Sequence, residues 1–300
     1  MAHSSAMADS STFIAARAGP DRRDYARPNF RKARRTDERI VLLGQPIDLV
    51  KPEEVLHHMQ RWILDKKKAI VANHNLNSLA LMRRVPAMQA FYERADLIEL
   101  DSTPLVHFAR ALGLSSRPFH RCTYLDWRDH FWSLVNRNGW RVMYVGGAAD
   151  VVEVARDRLL ARYPRARISV RDGYFDAMPG SDGNQDVLDQ AALFQPHILF
   201  VGMGMPRQEL WIQQNLDALP DCVIFSVGAA FDYEAGAQKA APRWMGRMGV
   251  EWLYRVAADP KRLFRRYFIE PWSLMDLIVA DVVQAAGRRF GKPTLGDATF

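Results

Sequence analysis

Arg255, Arg262 and Arg265 recur among aromatic and aliphatic residues in the stretch from Glu251 to Arg266, and that mixture suits a phosphate-rich partner. A guanidinium group meets phosphate oxygens in a fixed bidentate fork. Asp259-Pro260 reads as a helix start, an N-cap followed by a proline in the first turn. In the helix that follows, Arg262, Arg265 and Arg266 sit at i, i+3 and i+4 and share a face, while Leu263, Phe264, Tyr267 and Phe268 supply apolar surface. From Lys239 to Arg266 there are eight Lys/Arg against two Asp/Glu, a local net of +6 within a whole-chain formal charge of +7. A solvated basic face on a C-terminal helix is the plainer alternative.

Further upstream, Gly202-Met203-Gly204-Met205-Pro206-Arg207-Gln208-Glu209 joins a strand-like run to a helix-like one. Glycine lets the backbone approach a ligand, Pro206 starts the helix, and the helix N-terminus offers N–H groups to an anion. Gln208 and Glu209 can hydrogen-bond a sugar or a base; equally, Glu209 suits the positive end of the helix dipole. Asp101 ends a strand ahead of Ser102-Thr103-Pro104. A carboxylate there can take a proton from a substrate hydroxyl, or simply cap the next helix. Asn73-His74-Asn75 brings amide and imidazole groups suited to sugar hydroxyls or uracil, with His74 as readily structural. Gly146-Gly147, a helix and Asp172 about 25 positions on resemble half of a dinucleotide-binding unit, although Ala148-Ala149-Asp150 breaks the full glycine pattern.

These groups are positioned by an alternation of short apolar strands and amphipathic helices that starts near Ile40 and runs to Val227. The pattern predicts an α/β fold: a Rossmann-like, mainly parallel sheet with helices on both faces, plus a C-terminal helical appendage. Asn73, Asn75, Asp101, Gly146, Gly147, Asp172, Gly202, Gly204, Gly228 and Asp232 all fall at or just beyond the C-terminal ends of strands. In open α/β sheets that edge binds ligands, whichever strand order holds. The boundaries read as a disordered basic tail over 1–38, an α/β domain over 39–245 and helical segments over 246–300.

Composition narrows the class of partner. The positive balance favours an anionic one: nucleic acid, an acidic membrane surface or a phosphorylated small molecule. Cys122 and Cys222 show no zinc-site spacing, which suits a reduced, cytoplasmic compartment and no metal. The N-terminus lacks the apolar region of a signal peptide, and the best membrane candidate, Leu274 to Ala286, is broken by Asp276 and Asp281. Any membrane contact is therefore peripheral.

Taken in order, the motifs resemble the WecG/TagA/CpsF glycosyltransferases (glycosyltransferase family 26). The resemblance runs from about Leu42 to Arg266. It rests on the Asp101 block, Arg171-Asp172-Gly173-Tyr174-Phe175, the glycine stretch Gly202 to Glu209, Val227-Gly228-Ala229-Ala230-Phe231-Asp232 with Ala235-Gly236, Ala241-Pro242-Arg243-Trp244, and Gly249 to Arg255 with Pro260, Arg262 and Arg265. Any one of these is common; all of them in this order is specific. Two departures stand out. Asn73 replaces the threonine of many members, and Asp101-Ser102-Thr103-Pro104 replaces the usual Asp-Gly start, resembling members that act in exopolysaccharide assembly.

The resemblance implies an inverting enzyme on the cytoplasmic face of the cell membrane. It would move a hexose-type sugar from a UDP-sugar to a polyprenyl-diphosphate-linked saccharide. Asp101 is the implied general base. Asn73, Asn75, Gly146, Gly202, Gly204, Pro206, Gln208, Glu209, Gly228 and Asp232 would line the substrate pocket. Arg255, Arg262 and Arg265 would fold over it and neutralise the departing diphosphate, whose charge grows in the transition state, as a magnesium ion does elsewhere. The region Phe268 to Ala286, with Tyr267, Phe268, Trp272, Leu274, Leu277, Ile278 and Val282, would lie in the lipid interface, or else pack on the core or on a second subunit of a homo-oligomer. Two other classes compete: an NAD(P)-dependent oxidoreductase using Gly146, Gly147 and Asp172, and a non-enzymatic basic module binding nucleic acid. The second suits the sequence least, because its basic residues would form one face, away from a glycine-lined strand rim.

Overall fold

Ile70-Val71-Ala72, Val142-Met143-Tyr144-Val145 and Ile198-Leu199-Phe200-Val201 are apolar at every position, and a strand can be so only where helices cover both its faces. In the computed structural model these runs belong to a six-stranded sheet in which every pairing is parallel. The structure describes residues 39–238 and 268–290, with single positions at 245, 253, 254, 256, 260 and 264. The expected tail over 1–38 and the three arginines Arg255, Arg262 and Arg265 lie outside the described residues.

Numbered along the chain, a hairpin of β1 (Arg39–Leu42) and β2 (Gln45–Asp48) precedes the sheet strands β3 (Ala69–His74), β4 (Leu97–Leu100), β5 (Arg141–Gly146), β6 (Arg167–Arg171), β7 (Ile198–Gly202) and β8 (Val223–Ser226). Their spatial order is β4-β3-β8-β7-β5-β6. On one face lie α1 (Pro52–Leu64), α5 (Tyr124–Asn138), α6 (Ala149–Arg162) and the short α9 (Ala230–Glu234), packed through an aromatic cluster that includes Trp127, Phe131, Trp132, Phe200, Phe225 and Phe231. On the other lie α2 (Leu76–Arg84), α3 (Met88–Glu93), α7 (Asp182–Phe194) and α8 (Arg207–Asn215).

Handedness ties face to direction. A right-handed crossover that moves one way along the sheet must use the face opposite to one that moves the other way. From β5 the chain crosses by α6 to β6, on the aromatic face; from β7 it crosses by α8 to β8, in the opposite direction and on the opposite face. Connections therefore diverge between the adjacent strands β5 and β7. That makes their carboxyl ends a topological switch point, where such sheets leave an open crevice.

The β1–β2 hairpin is absent from the sequence reading, as are the helices α7 and α9, whereas α4 (Thr103–Ala111) is the helix expected after Asp101. The hairpin lies along the outer side of β4, where Asp48 Oδ2 accepts from Ile98 N at 2.8 Å and so occupies an otherwise open edge. With α4 it forms a third apolar cluster. That cluster receives the C-terminal helix α10 (Met275–Phe290) and the 3-10 turn before it (Glu270–Leu274).

This corrects one expectation. Leu274, Leu277 and Ile278, read from the sequence as lipid-facing, pack with Ala285 against the hairpin and α4. Asp281 accepts from Leu43 N at 2.7 Å, Arg84 pairs with Glu270 at 3.1 Å, and Arg83 pairs with Asp276. The opposite side of the helix is exposed and also apolar: Trp272, Met275, Val279, Val282 and Val283, with Phe268 and Ile269 before them. Apolar residues at both i, i+3, i+4 sets give two stripes, and sequence periodicity alone does not say which one turns inward. No helix among the described residues is long and apolar enough to cross a membrane.

Candidate active site

The strand rim is built in two different ways. At β5 and β7, Gly146 and Gly202 face each other in register. A Cβ on Gly202 would fall inside the Tyr144 hydroxyl and the Gly228 carbonyl, and a Cβ on Gly146 would strike the Gly202 backbone. Gly202 thus requires glycine for close approach, and Gly146 both for close approach and for its φ of +156°. Gly173, in the loop after β6, packs on Gly146 and Gly147 in the same way. That loop is anchored by Arg207, whose guanidinium lies 5.6 Å from the Phe175 ring and donates to the Phe175 carbonyl. Asp172, the acid of the dinucleotide reading, accepts from Tyr174 N at 3.0 Å and so closes its own loop.

Gln208 and Glu209 are placed beneath this rim, not upon it. Gln208 is 2% exposed and its Oε1 accepts from both Gly204 N and Gly228 N at 3.2 Å. Its Nε2 donates to Glu209 Oε1 at 2.7 Å. One side chain therefore ties the loop after β7 to the loop after β8. Tyr144 adds a second tie by donating to the Gly228 carbonyl at 3.1 Å. Burial lifts the Glu209 carboxyl to about 7, against the opposing pull of the Gln208 hydrogen bond, and its Oε2 meets no partner among the described residues. Pro206 stands at the N-cap of α8. Asp232, half-buried in α9, lies beside Tyr144 and Gly147, and burial raises its pKa.

At β3 and β4 the rim carries side chains. Asp101 follows β4, and its N–H donates to the His74 carbonyl at 2.9 Å, which fixes it against the end of β3. The cap of α4 is Ser102, whose Oγ accepts from Leu105 N at 3.4 Å. The capping duty that sequence offered as the alternative for Asp101 thus belongs to its neighbour. Asn75 caps α2: its Oδ1 accepts from Asn77 N at 3.0 Å and Ser78 N at 3.1 Å, leaving the amide nitrogen as what it can offer a substrate. Asn73 Nδ2 donates to the Ser226 carbonyl at 2.7 Å and joins β3 to β8. His74 is fully buried, stacked on Tyr92 at 4.0 Å and bonded to Ser78 Oγ at 3.1 Å; burial lowers its pKa to about 3. It is a neutral core histidine.

Two groups escaped the sequence reading. A backbone bridge pairs Arg121 with Leu100, the residue before Asp101, and the Arg121 guanidinium lies 3.9 Å from Asp126. Glu99, two residues before Asp101, is buried and accepts from Cys122 Sγ at 3.0 Å. The only sequence signal for Glu99 was an acid in an otherwise apolar strand. Among the described residues no group of three or more His, Cys, Asp or Glu side chains converges as a metal site would require.

With this geometry in place, comparison with known proteins adds the chemistry. Residues 40–288 match the family described as Glycosyl transferase WecG/TagA/CpsF family. The chain is similar to the N-acetylglucosaminyldiphosphoundecaprenol N-acetyl-beta-D-mannosaminyltransferase of Staphylococcus aureus strain NCTC 8325, at 30% identity over 214 residues, which cover 68% of this chain and 81% of the relative. The protein of the same name from strain MRSA252 is 29% identical over the same length.

Proposed function

The chain belongs to the WecG/TagA/CpsF glycosyltransferase family, and on that premise we propose that it is an inverting enzyme moving a hexose-type sugar from a UDP-sugar to a polyprenyl-diphosphate-linked saccharide. The names of its relatives support the acceptor class. Membership sets aside the oxidoreductase and nucleic-acid readings. The observation that carries the mechanism is that Ser102, and not Asp101, caps α4, with Asp101 at the same sheet edge as the Gly146–Gly202 crevice.

In this reading the donor's diphosphate lies along the glycine turns at β5, β7 and β8, where backbone can come close. The sugar lies towards β3 and β4. Asp101 takes the proton of an acceptor hydroxyl while that oxygen bonds to the anomeric carbon from the side opposite the leaving group. The bond from the anomeric carbon to the phosphate oxygen breaks, and UDP departs with the electron pair. Asn75 and Asp232 orient the substrate; Gln208 and Glu209 act indirectly, by holding the loops. Arg255, Arg262 and Arg265 neutralise the leaving diphosphate. The exposed stripe Trp272, Met275, Val279, Val282 and Val283 rests on the cytoplasmic face of the cell membrane, where an apolar face with nearby basic residues finds both lipid and anionic headgroups.

The test is direct. Purified protein with a short-chain prenyl-diphosphate sugar and a panel of UDP-sugars should release UDP and yield a lipid heavier by one sugar with one donor. No product with any UDP-sugar, alongside turnover of another nucleotide sugar, would overturn the donor assignment.

A further inference from the structure

Glu99 is the buried acid that the mechanism leaves unused, and its surroundings are specific. Side chains alternate along a strand, so Leu97, Glu99 and Asp101 project to the same side of β4. Glu99 is in register with Asn73 of β3. Across from it, the segment Arg121–Thr123 runs beside the end of β4: Cys122 N donates to the Leu100 carbonyl at 3.0 Å, and Arg121 pairs with Leu100. The Cys122 thiol donates to Glu99 Oε1 at 3.0 Å. The groups facing this carboxyl are therefore a thiol, the Trp127 indole, Asp126 at the start of α5, and Asp101 itself, with Arg121 paired at 3.9 Å to Asp126.

We infer that Glu99 is a positioning residue for this site: it holds the Cys122 segment against β4 as an uncharged acid, and so keeps a further negative charge from forming beside Asp101, at the sheet edge along which the anionic donor lies. The inference rests on the glycosyltransferase reading above. Its physical basis is the low dielectric of the interior, in which a buried carboxylate acts over several ångströms. Burial, followed by the Asp101 and Asp126 charges, raises the Glu99 pKa to about 8, while the Cys122 and Trp127 contacts oppose that rise. The sign follows. Below that pH Glu99 adds no charge beside Asp101; above it a further negative charge appears at the edge along which the donor's diphosphate lies. A stronger base at Asp101 would not weaken turnover, so the effect belongs in the donor KM, not in kcat.

The experiment is a donor KM profile from pH 6 to 9.5 on the full chain, with kcat followed in parallel. In the wild-type protein KM should rise on the order of threefold to tenfold across pH 8. Glu99→Gln, which keeps the shape and fixes the charge at zero, should lose that rise. Cys122→Ala is the second variant and serves if Glu99→Gln does not fold. Without the thiol donor the charged form of Glu99 is less favoured, so the midpoint should move to higher pH. The same rise in Glu99→Gln as in wild type, no rise in wild type, or an unmoved midpoint in Cys122→Ala each overturns the inference. Asp101→Asn separates the two levels: wild-type turnover in that variant would remove the base assignment itself, whatever the KM profile shows.

Discussion

The two halves of the sheet edge do opposite things with their side chains. At β5, β7 and β8 the side chains have been removed. Gly146, Gly202 and Gly228 leave only backbone, and that backbone is locked from below by Tyr144 and Gln208. At β3 and β4 the side chains are present, and they are allotted with care: Ser102 and Asn75 cap helices, while Asp101 is relieved of that task. A group that must approach closely, such as a diphosphate, needs absence of bulk and a rigid wall. A proton acceptor needs a carboxylate that is not the helix cap. The contrast teaches that one edge is built from two different residue types, which in the proposed reading serve binding on one half and chemistry on the other.

If the glycine half is a close-packed wall, its disruption should be the most damaging change. Gly202→Ala sets a methyl against the Tyr144 hydroxyl and the Gly228 carbonyl. At least about 3 kcal/mol of stability should be lost, seen as a large fall in Tm or failure to accumulate folded protein. A variant with unchanged Tm would show that the wall yields. On the other half, Asp101→Asn should leave Tm and UDP affinity near wild type while lowering kcat by roughly two to four orders of magnitude. If that variant loses UDP affinity as well, the division of labour between the halves is wrong.

Smaller effects probe the links between them. Gln208→Ala strands the Gly204 and Gly228 N–H groups and leaves Glu209 without its partner. It should cost about 2 kcal/mol, measured by denaturant titration, and should raise the donor KM more than it lowers kcat. The reverse split would place Gln208 at the reacting centre. Smallest for the fold is the exposed stripe of α10. Val279→Asp with Val283→Asp should change stability by no more than about 0.5 kcal/mol, yet reduce partitioning onto anionic vesicles roughly tenfold. Vesicle binding equal to wild type would detach this stripe from the membrane.

Much of this was legible without coordinates. The apolar runs, the glycine and proline punctuation and the spacing of polar residues specify an α/β sheet with its glycine and polar residues on the carboxyl edge, since these depend on period and turn chemistry within short windows. The order of the motifs also identified the family. What stayed hidden depends on contacts between distant segments. The hairpin Arg39–Asp48 gives no strand signal of its own until β4 offers it an edge. Gln208 in a first helical turn looks like a ligand group until two loops, brought in from separate strands, place their N–H groups against it.

Sequence by itself therefore determined which residues stand at strand ends and which helices are amphipathic, because backbone sterics and local hydrophobic period act over a few residues. Only the tertiary structure decided that β5 lies beside β7, which stripe of α10 turns inward, and that Glu99 sits buried beside Asp101. Those outcomes arise from packing between segments far apart in the chain, where many sequences with the same local pattern would settle differently.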